Sequence, residues 1–293
     1  MKNKLSLFAV PYVGWMSIFV VAPIIIMVVY AFSTAAGDFT LENFARMGTY
    51  TAVFTRSFKL AIIATLIALL IGYPVSYMLS KEGPQVQRIA MVLIMLPMWM
   101  NFLLRTYSWM SILENNGLLN QLFQQIGLID LYNQIAMHFA SDPAAYVPID
   151  HFQMIGTQGA VVLGMVYNYL PFMILPIYSV LVKLDHSLIE AARDQGASSV
   201  QVFRKVILPL SLPGVLSGIT MVFVPSVSTF AISRLLGGGT QMMLGDLIEQ
   251  QFLGGAYNPQ LGAAIALVMM AIVVVCMLVM NRFGDGEEQA VML

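Results

Sequence analysis

The chain has 293 residues, 59% of them apolar and only 10% charged, with net charge -1 and mean hydropathy +0.80. Soluble domains carry about 25% charged residues, so this composition cannot keep a 32.3 kDa surface free of exposed apolar patches. It excludes a soluble globular enzyme, a disordered chain and a secreted disulfide scaffold, and the near-neutral charge offers no basic footprint for nucleic acid. The lone cysteine, Cys276, permits no internal disulfide. A multi-spanning protein with membrane lipid as its solvent remains.

A helix needs about 20 mostly apolar residues to cross the hydrocarbon core. Six uncharged runs supply them. The first, residues 5–32, follows Lys2 and Lys4 as a secretory signal would, but it far exceeds the roughly 7–15 residues of a signal's apolar region. A retained helix is expected. The second run covers 60–79. The third starts at 89–104 and extends to about 112 across Arg105, whose guanidinium is expected to snorkel to the interface or pair with Glu114. The fourth, fifth and sixth cover 159–182, 206–233 and 261–280. Three prolines in the fifth, Pro209, Pro213 and Pro225, predict a bent helix lining a cavity.

Six spans put both termini on one side. The Lys/Arg residues then divide nine to five in favour of the terminal side, which makes it cytoplasmic. Ser111 to Tyr178 holds no Lys or Arg, so the loop 113–158 reads as exported. Within it Leu118, Leu119, Leu122, Phe123 and Ile126 recur at helical spacing opposite Asn120, Gln121, Gln124 and Gln125. Either an interfacial amphipathic helix or a docking site for an external partner fits that pattern. His138, His151 and His186 lack metal-ligand spacing and read as surface residues.

The segment 185–205, between spans four and five, carries the most specific local signals. Ser187 with Glu190, and Ser198 with Gln201, have capping-box spacing, and Gly196 stands between them where a helix end wants a left-handed residue. Helix, glycine turn, helix is the prediction. Leu188, Ile189, Ala191 and Ala192 give the first helix a small apolar ridge. That ridge suits a groove on another protein, or simply the membrane surface.

Glu190-Ala191-Ala192, three residues, Gly196, nine residues, Val206, one residue, Leu208-Pro209 resembles the EAA motif of bacterial ABC importer permeases, with Val206 where the family has isoleucine. Arg105-Thr-Tyr-Ser-Trp109, Gly127-Leu-Ile-Asp130, Leu163-Gly-Met-Val-Tyr167, Leu170-Pro-Phe-Met173 and Leu235-Leu-Gly-Gly238 are similar to spermidine/putrescine permeases of the B kind. The resemblance implies one all-α, six-span type I permease domain in the bacterial inner membrane, both termini cytoplasmic. It implies that segment 185–205 is the coupling helix region seated in an ATPase cleft. It also implies an ATPase dimer that holds ATP and magnesium, a second permease subunit and an external solute-binding protein. This chain has no GxxxxGK[ST]; Gly237-Gly238-Gly239 is followed by Thr240, so no cofactor of its own is expected.

Flexible polycations need carboxylates, carbonyls or aromatic faces along their path. No carboxylate lies in the six runs. Trp99, Tyr167, Tyr169, Phe223 and Phe230 could supply cation–π contacts of roughly 0.5–2 kcal/mol, with Ser226, Ser228 and Thr229 as polar groups. Asp246 and Glu249 could supply negative charge at the entrance. Lipid contact, packing and a solvated loop are the plainer readings of the same residues. Within the permease class, thiamine or iron are rival cargoes. An ion-coupled transporter would want intramembrane carboxylate or histidine relays, and a membrane enzyme its own catalytic motif; the sequence shows neither.

Overall fold

The computed structural model describes residues 11–139 and 146–291, and among them there is helix and no sheet, only an isolated bridge from Ser33 to Phe39. Lys2, Lys4, the start of the first run and residues 140–145 of the long loop lie outside the described residues. The elements are α1 (Pro11–Ala31), α2 (Glu42–Arg46), α3 (Thr51–Ser80), α4 (Pro84–Trp99), α5 (Phe102–Leu113), α6 (Leu118–Gln125) and α7 (Leu128–Phe139). They continue with α8 (Gln158–Leu181), α9 (His186–Asp194), α10 (Ser199–Val202), α11 (Leu208–Ser228), α12 (Ala231–Leu236), α13 (Leu244–Leu253) and α14 (Pro259–Val291).

Helices α3, α8 and α11 pack together as the centre of the bundle. Small residues permit the close approach that lipid-embedded helices need. Met173 on α8 lies between Gly72 on α3 and Gly218 on α11. A Cβ on Gly72 would stand 2.9 Å from its Cγ, and one on Gly218 would stand 2.8 Å from its Sδ. Buried Ser76 donates to the Ile174 carbonyl at 3.1 Å, and Tyr73 bonds Ser211 at 2.9 Å. Around this centre α14 packs on α1, α11 and α13, while α1 leaves its own apolar window wholly on the surface.

Among the described residues, five helices are long and apolar enough to cross a membrane, six if a bent pair counts as one. That pair is the third run, and it is not straight. α4, at 16 residues, is about 24 Å long, short of a roughly 30 Å core, and the limb Phe102–Gln125, α5 with α6, leaves it at 90°. The fifth run is also interrupted: Thr229 is extended between α11 and α12. The helix before each break ends two or three residues after a proline, Pro97 or Pro225. Yet Pro171 and Pro176 sit inside an unbroken α8, which is packed by α3 and α11. Proline therefore weakens a helix, and packing decides whether it parts.

Two wide turns have the same origin. Ser17–Val21 and Phe203–Ile207 are π-helical, and in each the residue before a proline, Ala22 or Leu208, reaches a carbonyl five residues back. The proline ring clashes with the carbonyl four residues back, and an extra residue in the turn relieves it.

Candidate functional site

The segment from Asp185 to Pro209 closes one end of the bundle. Asp185, not Ser187, caps α9: its carboxylate accepts from the Ser187 N–H at 2.9 Å. The hydrogen bonds from Ser187 hold this exposed carboxyl below its ordinary pKa. The expected Ser187–Glu190 box is therefore absent. With the cap at 185, Glu190 falls two residues past the position that could reach back, and it lies exposed with no hydrogen bond or ion pair among the described residues. The predicted ridge is also divided. Ile189 and Ala192 pack inward against the cluster of Val202, Ile207, Leu181 and Val215, while Leu188 and Ala191 face out with Glu190.

Gly196 ends the helix with φ +79°. Its N–H reaches the Arg193 carbonyl at 2.8 Å, and the Ala197 N–H reaches that of Ala192 at 3.1 Å, the paired bonds of a Schellman close. Nothing lies within 4 Å of a Cβ built there, so glycine is required for its backbone conformation and not for space. Ser198 and Gln201 form the reciprocal box that opens α10. Next, Phe203 in the wide turn makes T-shaped contacts with Tyr73 and Tyr77, centroids 5.9 and 5.5 Å apart. Val206 packs on the same cluster, Leu208 is partly exposed and Pro209 opens α11. This end is thus a rigid hook joined to the three central spans.

The second constellation surrounds the two helix breaks. Asn101 caps α5, its Oδ1 accepting from Leu103 and Leu104 at 2.8 and 3.4 Å. Arg105, one turn on, is buried at 8% exposure and does not snorkel; nor does it pair with Glu114. Its Nε and Nη1 have no hydrogen-bond partner in the chain, and its guanidinium stands 6.0 Å from the Tyr167 ring. Trp109 packs edge-on to Tyr167 at 5.4 Å. Tyr169 is next to both Thr229 and Arg105, at the second break. The sequence reading missed this burial because hydropathy cannot tell a charge in a protein interior from one at an interface.

Other path candidates separate. Trp99, at 79% exposure, and Phe230 and Ser228 face outward beside the breaks. Phe223 is instead packed with Phe58 at 6.2 Å, and Ser226 is spent on the Val222 carbonyl at 2.7 Å. Asp246 is not an open entrance charge. It is buried, accepts the Met243 N–H at 3.0 Å as the cap of α13, and stands 4.0 Å from Arg234. Burial raises its pKa. Glu249 is ion-paired to the same arginine. In the long loop the polar face of the predicted amphipathic helix turns inward at Asn120. Its amide clamps the Glu114 and Phe152 carbonyls and the Phe152 N–H, while Leu118 and Ile126 are exposed.

Residues 64–286 match the family described as binding-protein-dependent transport system inner membrane component. The chain belongs to that family. It is a multi-pass permease of the inner membrane and of the ABC-importer type. This permease is 34% identical over 281 residues to the spermidine/putrescine transport system permease protein PotB of Escherichia coli K12, covering 93% of this chain and 95% of that one. It is equally similar, over 285 residues and 93% of both chains, to the protein of that name from Haemophilus influenzae. In fold it resembles a chain of a bacterial ABC transporter that imports the acidic polysaccharide alginate, with TM-score 0.75, 16% identity and coverage of 97% and 96%. It also resembles a chain of the MetNI methionine ABC transporter, with TM-score 0.54, 19% identity and coverage of 84% and 98%.

Proposed function

We propose that this permease takes up polyamines, spermidine or putrescine, delivered by an external solute-binding protein and driven by a partner ATPase dimer that holds ATP and magnesium. Near-full-length similarity to spermidine/putrescine permeases carries the choice of cargo. A second permease subunit completes the path. On this reading α4 and α5 together form one broken span of six, the domain fills the chain, and both termini lie in the cytoplasm beside α9. Glu190 and Ala191 then face the ATPase, with Ala192, Gly196, Val206, Leu208 and Pro209 holding the hook that carries the stroke. Closure of the ATPases moves the hook and, through Phe203 and the central spans, switches access between the two sides.

For the path we assign Tyr167, Tyr169, Thr229, Ser228, Phe230 and Trp99, which lie at or beside the breaks. Non-helical backbone at membrane depth is tolerated where it is buried in protein or lines a wet cavity, and its carbonyls suit ammonium groups. Arg105 repels the same cargo and keeps its residence short, as transport requires weak binding along the way. The experiment is ATP-dependent uptake by the reconstituted complex, comparing radiolabelled spermidine and putrescine with thiamine and ferric iron. Uptake of either polyamine alone supports the reading; uptake of thiamine or iron in its place sinks it.

A further inference from the structure

A cavity of about 520 Å³ opens behind α9, between that helix and the neighbouring ends of α3, α4 and α8. Its wall carries Lys81, Arg193 and His186, and Glu82 is its one carboxylate. Among the described residues, neither Lys81 nor Arg193 has a carboxylate within ion-pair distance. Asp185, nearby in sequence, is spent as the cap of α9. Lys81 is positioned by the face of Tyr77, 3.9 Å from its centroid. Ser199 adds a polar group to the wall, while the Gln87 amide is spent within the chain, donating to the Ser80 and Glu82 carbonyls and accepting from Tyr178 at 3.1 Å. Unneutralised cations around a cavity at the ends of spans fit an anion, and basic pockets of this kind between membrane helices take lipid head groups. Two cations lining one pocket also suit a phosphate, which has several acceptor oxygens to share between them.

We infer that this cavity binds a phosphate-bearing anion between Lys81 on the α3 end and Arg193 on α9, and so ties α9 to the spans beneath it. The bound anion steadies the inner face of α9, from Ile189 to Arg193, while Glu190 and Ala191 stay free on the other face. Its meaning as control of ATPase coupling rests on the function proposed above; the binding does not.

The test uses the full-length chain purified in its assembled complex, without ATP or cargo. Retention of phosphatidylglycerol is measured by native mass spectrometry, and binding of radiolabelled inorganic phosphate by equilibrium dialysis. For a lipid head group, K81Q/R193Q retains phosphatidylglycerol at least tenfold more weakly. R204Q/K205Q, which removes the same charge at exposed neighbouring positions, retains it normally, and K81R/R193K restores it. For a free anion, phosphate binding falls in K81Q/R193Q while lipid retention stays constant across the variants. In either case the ligand slows hydrogen–deuterium exchange over residues 186–196 in the native chain and not in K81Q/R193Q. Lipid retention and phosphate binding both unchanged in K81Q/R193Q would overturn the site. Failure of polyamine uptake with these binding results intact would count against the cargo alone.

Discussion

The hook at Asp185–Pro209 and the broken region around Arg105 solve opposite problems. In the hook the termini are satisfied nearby: Asp185 with Ser187, Gly196 with Arg193, Ser198 with Gln201. Around the breaks, a buried cation is left with two nitrogens that have no partner in the chain, and its aromatic neighbours come from a helix more than fifty residues away in sequence. A segment that transmits motion must keep its shape under load. A segment that passes a solute must not bind anything too well, including itself.

The hook is most vulnerable at Gly196. A β-branched residue at φ +79° is a true outlier, with a left-handed penalty of roughly 1–2 kcal/mol even for less crowded L residues. Gly196→Val should therefore unwind the turn and lower uptake at least tenfold, while the complex still assembles and ATP hydrolysis continues uncoupled. Gly196→Ala should fall between. Uptake and phosphate release measured on the same proteoliposomes distinguish uncoupling from simple loss of protein. Normal uptake by assembled Gly196→Val would remove the hook from the mechanism.

In the other region, Arg105→Gln removes a buried charge while keeping a polar side chain only two heavy atoms shorter. Because the guanidinium opposes a polycation, the expected result is a several-fold lower KM for spermidine with a lower maximal rate, as the solute leaves more slowly. An unchanged KM would show that Arg105 only packs beside Tyr167. Asn101→Ala comes next in size. It deletes two capping bonds of α5, a loss typically near 1 kcal/mol. The complex should melt a few degrees lower, with a small change in uptake. If its effect instead matched Gly196→Val, the bend between α4 and α5 would be as much a lever as the hook.

How legible each region is in the sequence follows from the range of its interactions. Ser198-x-x-Gln201 and Gly196 state their structure because their partners lie within five residues, and a hydrogen bond over that distance leaves few alternatives. Even there, Asp185 displaced Ser187: two residues suited the cap, and local spacing could not rank them. The uncharged runs locate the spans, but not where Pro97 and Pro225 part a helix while Pro171 and Pro176 do not, since neighbouring helices decide that. The burial of Asn120 and that of Arg105 are hidden from the sequence for one reason. A polar side chain reads as exposed until a carbonyl or a ring far along the chain comes to meet it, and Phe152 and Tyr167 do so only in the fold.

Asp246 gives the smallest expected effect and the sharpest test of that last point. As an entrance charge, its neutralisation would slow polycation uptake; as the buried cap of α13, it should not. Burial raises its pKa in the folded chain, so the native state holds its proton to higher pH than the unfolded one does. Stability from this group is then full below the ordinary carboxylate range near 3.9, and is lost as pH climbs through the raised value. Asp246→Asn keeps an acceptor for the Met243 N–H and removes the titration. It should flatten that decline and shift the melting temperature at neutral pH by no more than about 2 °C, because relief from burying a charge offsets the lost attraction to Arg234 4.0 Å away. Spermidine uptake should be unchanged. A clear fall in uptake with unaltered melting would return Asp246 to the path and place the solute entrance at α13.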